Sequence, residues 1–329
     1  MERLSSLRRF AAAHTRLVAV LQVLVLGGFI AAVGWAVRGS LHDAGDDLRN
    51  ANPLLFVLAC AALGCYYLLF VLGWIRILDD WGIRISYPAA LRAEMVSMLA
   101  KYVPGGVWTP AARVVAARRA GVDDAALVTA SMLLEAGISA VAGVIVFVVS
   151  LAFVDGANAP LVPLLAFGIV VAVLVQPRVF RPLAARILRR FGYRRELPPL
   201  RRWTLVLLLI FYAGTWVLGG LALWLLLRSV GAHPDGESVV FLGGTAAVGA
   251  IVAVLFIFAP SGLGPREASM YGLMLAVASQ GQALGATALN RVAITLVELL
   301  LLVVGGLLLR RRIAPDEREA EPRLRDAEA

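Results

Sequence analysis

Two short segments rich in proline, glycine and charge interrupt a chain otherwise made of long apolar runs. They are Lys101-Tyr-Val-Pro104-Gly105-Gly106-Val-Trp-Thr109-Pro110-Ala-Ala-Arg113 and Pro260-Ser-Gly262-Leu-Gly264-Pro265-Arg266-Glu267. Most of the apolar runs reach the ~20 residues that a helix needs to cross a bilayer. Lipid cannot satisfy backbone N–H and C=O groups, so backbone that leaves the helix at membrane depth must be buried in protein or line a wet cavity. Ionisable side chains at that depth are costly and by default mark a functional site. Two such breaks, one in each half of the chain, form the pattern expected of a membrane transport site.

Composition agrees. Of 329 residues, 60% are hydrophobic and 16% charged, against roughly half and a quarter in soluble domains. The fold class is therefore all-α, a polytopic transmembrane helical bundle. The net charge of +9 gathers in particular loops, so it speaks of orientation and lipid affinity and not of nucleic acid. Cys60 and Cys65 are five apart and do not share a helix face. His14, His42 and His233 lie outside the apolar cores, so neither a metal site nor a disulfide framework is supported, and no cofactor is expected. Lys101 is the only lysine, and it falls at the first break.

Six spans read directly from the runs: Leu17–Val37, Pro53–Leu78, Ala125–Phe153, Leu161–Val175, Trp203–Leu227 and Leu284–Leu309. The Arg8-Arg9 pair before the first run has a twin-arginine look, but no small-residue cleavage site follows it, so that run reads as an uncleaved span. Between the second and third spans lies Pro88–Ala120 with the first break. Between the fifth and sixth lies Val239–Ser279 with the second. Arginines crowd the N-terminus, the connection 178–202 and the positions 310–312. The positive-inside bias then places both termini in the cytoplasm, provided each broken segment returns to the side it left. The unit built on the first break and the unit built on the second run in opposite directions, an inverted repeat. Six spans with two re-entrant hairpins and eight full spans both satisfy these constraints.

Arg178–Arg195 intersperses arginines with Val179, Leu183, Ile187 and Phe191. It reads either as an amphipathic helix drawn to anionic lipid at the inner leaflet or as a plain topology determinant. Residues 313–329 are charged and proline-containing and read as a disordered cytoplasmic tail.

Each break closes on a helix-start signal. Thr109-Pro110 offers a hydroxyl cap followed by proline at the first helical position, and Gly264-Pro265 plays the same part, with Glu267 in the first turn. A half-helix N-terminus presents free N–H groups and partial positive charge, which suits phosphate or carboxylate. Lys101, Arg113 and Arg266 add formal charge, and Gly105 and Gly106 allow close backbone approach. Interfacial loops can also carry such cations by snorkelling, but two breaks in opposite orientation favour an anionic headgroup site. Glu135, Arg291 and Glu298 lie within spans and form a candidate charge network. Either carboxylate can pair with Arg113, Arg266 or Arg291, or take up a proton in a coupled cycle. Tyr66, Tyr67, Trp74, Trp81, Tyr102, Trp108 and Trp203 fall near span ends or breaks, and most read as interfacial anchors.

At these residues the chain resembles the lysylphosphatidylglycerol synthase transmembrane region, or flippase-like domain, family of bacterial integral membrane proteins. The resemblance rests on Lys-x-x-Pro-Gly-Gly with a downstream Arg, and on Pro-x-Gly-x-Gly-x-Arg-Glu, and it covers about residues 15–310. It implies one flippase-like domain over 1–312 with re-entrant helices, multi-pass in a bacterial plasma membrane. Aminoacylated-phospholipid translocation is the activity of the best-known members. The matching positions are Lys101, Pro104, Gly105, Gly106, Arg113, Pro260, Gly262, Gly264, Arg266, Glu267 and Arg291. One departure stands out: Glu135 is followed by Ala136, with Ser139 where members often carry an Asp. That puts an identical charge network in doubt. The soluble aminoacyl-transferase domain of the bifunctional synthases is not expected here, so the chain should not make aminoacyl-lipid.

The expected function is translocation of a phospholipid with an anionic or aminoacylated headgroup, without covalent catalysis. Rival readings are a membrane glycosyltransferase or lipid-phosphate enzyme using Asp43, Asp46 and Asp47 of the first external loop, or a membrane partner subunit of a lipid-modifying enzyme.

Overall fold

The computed structural model describes residues 49–100, 108–122, 124–154, 161–190, 197–256 and 262–313. The first expected span, the tail beyond 313, Lys101, Pro104, Gly105, Gly106, Pro260 and the aspartates at 43, 46 and 47 lie outside them. The described residues form ten α-helices and no strand. They are α1 (Pro53–Asp80), α2 (Tyr87–Ala100), α3 (Trp108–Arg119), α4 (Ala125–Ser150), α5 (Leu161–Val175), α6 (Pro177–Arg190), α7 (Arg202–Ser229), α8 (Ser238–Leu255), α9 (Pro265–Met274) and α10 (Gln280–Ile313).

Local chemistry sets the helix starts. Asn52 Oδ1 accepts from Leu54 N at 3.0 Å and Leu55 N at 3.3 Å ahead of Pro53. Asp124 does the same for Ala126 N and Leu127 N at the head of α4. By length and hydropathy, α1, α4, α7, α8 and the first 25 residues of α10 can each cross a membrane. Helices α5 and α6 meet at 75° and together make a sixth candidate. At 1.5 Å per residue, α2, α3 and α9 measure about 21, 18 and 15 Å, well short of a ~30 Å hydrocarbon core. Both broken segments are thus helix pairs, but unequal ones: two short helices in the first, and one of spanning length with one short in the second.

The packing of the bundle repeats itself. Exchange α1 with α7, α2 with α8, α3 with α9 and α4 with α10, and every well-packed pair of these helices maps onto another such pair. Thus α1–α2 mirrors α7–α8, α2–α3 mirrors α8–α9, and α3–α4 mirrors α9–α10. Across the repeats, α4 lies on α7 and α8 as α10 lies on α1 and α2. The equivalent helices α1 and α7 pack on each other and run antiparallel. Asn52 N, at the start of α1, donates to Ser229 O at the end of α7 (2.8 Å). Asp80, closing α1, accepts from Arg201 N at 2.8 Å and Thr204 Oγ1 at 3.0 Å at the start of α7. An exchange that reverses helix direction is an inverted repeat, as the distribution of basic loops predicts.

Small residues allow the closest approaches, as packing in lipid requires. A Cβ on Gly243 of α8 would stand 2.7 Å from Trp216 O of α7, and one on Gly220 would strike the backbone of Val239 and Gly243. The Asp80 carboxylate is 1% exposed and ties the two antiparallel helices at one end. Asp80→Ala is expected to lower stability by about 1–3 kcal/mol, because it leaves the buried Thr204 hydroxyl and the Arg201 N–H without their acceptor. Thermal unfolding in detergent reads this.

Several of the aromatic residues are not interfacial anchors. Trp74 is fully buried and its indole N–H donates to Ser131 Oγ at 2.9 Å; Trp81 is also buried. Trp108 and Trp203, 52% and 72% exposed, keep the anchor character.

Candidate functional site

The charged side chains of the two breaks divide into neutralised and unneutralised ones. Helix α3 begins at Trp108, two residues before Pro110, and carries Arg113 one turn further on, against α2 and α4. Arg113 is 4% exposed. One guanidinium nitrogen donates to Glu135 Oε2 of α4 at 2.6 Å, and another pairs with Glu94 of α2. The guanidinium also stacks over the Trp74 ring, 5.0 Å from its centroid. The hydroxyl of Tyr212, from α7, donates to the other Glu135 oxygen at 3.1 Å. One arginine thus serves two buried carboxylates and links α2, α3 and α4 of one repeat to α7 of the other.

Glu94 is the partner that sequence reasoning missed. It is the only acidic residue between Pro88 and Ala120, a signal that was present but has meaning only once α2 and α3 fold together. Ser139, where an Asp was expected, is buried, and its carbonyl accepts from Trp216 Nε1 at 2.8 Å.

The second repeat builds an equivalent arrangement with the charges exchanged. Helix α9 starts at Pro265 behind Gly264, whose φ of 94° lies in the left-handed region open to glycine. Glu267 Oε2 accepts from Gly264 N at 2.7 Å, and its other oxygen faces Arg291 of α10 at 3.3 Å. Where α3 sends an arginine to a glutamate of α4, α9 sends a glutamate to an arginine of α10. Glu298, further along α10, accepts from the Tyr67 hydroxyl of α1 at 2.6 Å. This parallels the Tyr212–Glu135 contact between α7 and α4. Gly262 packs against α8, where a Cβ would stand 2.7 Å from the Cα of Ala253.

Arg266 stands apart. Its carbonyl accepts from Ser269 Oγ at 2.8 Å, but its guanidinium makes no hydrogen bond or ion pair among the described residues. It lines a cavity of about 110 Å³ with Tyr66 and Tyr67 of α1, Trp216 of α7, Met270 of α9 and Asn290 of α10. Gly249 of α8 admits it: a Cβ there would lie 2.6 Å from Met270 Cγ and 3.4 Å from Arg266 Cγ. The cavity therefore sits where the two repeats meet, with a cation in the first turn of a half-helix and phenol, indole and amide groups around it. Such a wall suits an anion with further polar groups attached. Among the described residues no cluster of His, Cys, Asp or Glu could hold a metal ion.

Of the residues singled out by sequence, Arg113 and Glu135 meet, Glu267 and Arg291 meet, and Glu298 accepts from Tyr67. Tyr66, Tyr67, Trp216 and Asn290 join Arg266 without any motif having pointed to them. A comparison with curated proteins gave no match. The profile of the family described as Lysylphosphatidylglycerol synthase TM region matches residues 18–314. That span holds both breaks, both repeats and the cavity between them, and the chain belongs to this family.

Proposed function

We propose that this protein translocates a phospholipid with an anionic or aminoacylated headgroup across a bacterial plasma membrane, without covalent catalysis. The observation that carries the reading is the unpaired Arg266 guanidinium, lining a cavity between two inverted repeats at the start of a half-helix. A half-buried cation that faces no counter-ion among the described residues is costly in a membrane protein, and a ligand phosphate would supply the missing charge. Lys101, Pro104, Gly105 and Gly106 of the first break and Pro260 of the second would complete the path. Arg113, neutralised by Glu94 and Glu135, would hold the first hairpin in place. Movement of one repeat against the other would open the cavity alternately to each side.

In this proposal both termini are cytoplasmic. Helix α6, with Arg178, Arg181, Arg186 and Arg189 and its 75° bend from α5, would lie on anionic lipid at the inner leaflet. Its role there is orientation, not cargo binding.

The test is selectivity. Reconstituted protein should flip labelled phosphatidylglycerol, or its aminoacyl ester, at least tenfold faster than labelled phosphatidylcholine. Equal rates for all headgroups would count against recognition at Arg266.

A further inference from the structure

The hairpin of α2 and α3 has a second face. Its inner face carries Ala90, Ala93, Glu94, Arg113 and Ala117, all buried. On the opposite face Ala89, Arg92 and Val96 follow one another at helical spacing along α2, and Val115, Ala116 and Arg119 do so along α3. Between the two rows runs a slot of about 240 Å³. Its walls are chiefly methyl and isopropyl groups, kept apart by the small alanines. Val96 and Val115 are 39% and 52% exposed at its edge. Neither the Arg92 nor the Arg119 guanidinium makes an ion pair or hydrogen bond among the described residues.

We infer that this slot is a separate binding site for an anionic phospholipid of the surrounding bilayer, with an acyl chain along the valine and alanine walls and the phosphate between Arg92 and Arg119. An apolar channel and two unpartnered guanidinium groups at one groove match the two halves of such a molecule. Arg fits phosphate by paired, charge-assisted hydrogen bonds. A free anion would use the arginines but not the channel, and a neutral lipid the channel but not the arginines. Nothing in this inference depends on Arg266 or on transport.

The test uses the full chain in neutral detergent, titrated with phosphatidylglycerol and followed by native mass spectrometry and melting temperature. Three variants are compared: Arg92→Gln with Arg119→Gln, Val115→Trp at the open edge of the slot, and Arg228→Gln as a distant arginine control. The double variant removes no side-chain ion pair or hydrogen bond among the described residues and should keep the lipid-free melting temperature. The expected result is at least tenfold weaker retention of one phosphatidylglycerol in the double variant and in Val115→Trp, with Arg228→Gln unchanged. Phosphatidylcholine should bind wild type at least tenfold more weakly. The inference is overturned if both slot variants retain phosphatidylglycerol like wild type. It is equally overturned if only the arginine variant loses it, or if glycerol phosphate competes as well as the lipid, because the channel would then take no part.

Discussion

Replacing Arg113 with Ala should destabilise the protein by about 3–5 kcal/mol, the scale seen when one partner of a buried ion pair is removed. The reason is the charge count around it. Arg113 faces both Glu94 and Glu135, and all three side chains are less than a tenth exposed. Without the guanidinium, two carboxylates would face each other across a void with only the Tyr212 hydroxyl in support. Glu135→Gln should cost far less. The amide oxygen can still accept from Arg113 while its NH2 donates to the Tyr212 hydroxyl oxygen, and Arg113 keeps Glu94. Thermal unfolding of the two variants in the same detergent gives the comparison. Equal losses in both would mean that Arg113 does not hold the carboxylates together.

Gly220→Val should cost about 3 kcal/mol or more and lower the yield of folded protein. A Cβ at this position strikes the Val239 carbonyl and the Gly243 backbone, which cannot rotate aside as a flexible side chain could. Overpacking typically costs 1–3 kcal/mol, and contact with backbone places this site at the upper end. Gly214→Ala, on the same helix with open space at its Cβ, should be neutral or slightly stabilising, since Ala is the better helix former. Melting temperatures of the two variants decide it. If Gly220→Val melts with wild type, α7 and α8 do not pack at the separation described.

The large features of this fold follow from one-dimensional patterns. Apolar runs longer than a soluble core needs announced the spans, and their spacing together with the basic loops implied two units of opposite direction. The antiparallel α1–α7 contact through Asn52, Ser229, Asp80 and Arg201 then showed that opposition directly. Gly264-Pro265 marked the start of α9 because a left-handed glycine and an N1 proline are local chemistry. What was hidden depends on contacts between distant residues. Arg113 and Arg266 occupy similar motifs, and nothing local says that one meets two carboxylates while the other meets none among the described residues. Trp74 sits at a spacing that suits an interfacial anchor, yet Ser131, 57 positions on, draws its indole inside. By sequence Tyr67 groups with the candidate interfacial anchors and Tyr212 draws no notice, until Glu298 and Glu135 arrive from the opposite repeat.

The central claim is that a headgroup crosses the membrane through the Arg266 cavity. The most direct measurement is the flipping rate of labelled phosphatidylglycerol and its aminoacyl ester in proteoliposomes, comparing wild type, Arg266→Ala and protein-free vesicles. The Arg266 guanidinium makes no hydrogen bond or ion pair among the described residues, so Arg266→Ala should fold and melt like wild type. The account predicts fast flipping by wild type and a loss of at least tenfold in the variant. Equal rates in both, or no flipping of either lipid by folded wild-type protein, would contradict it.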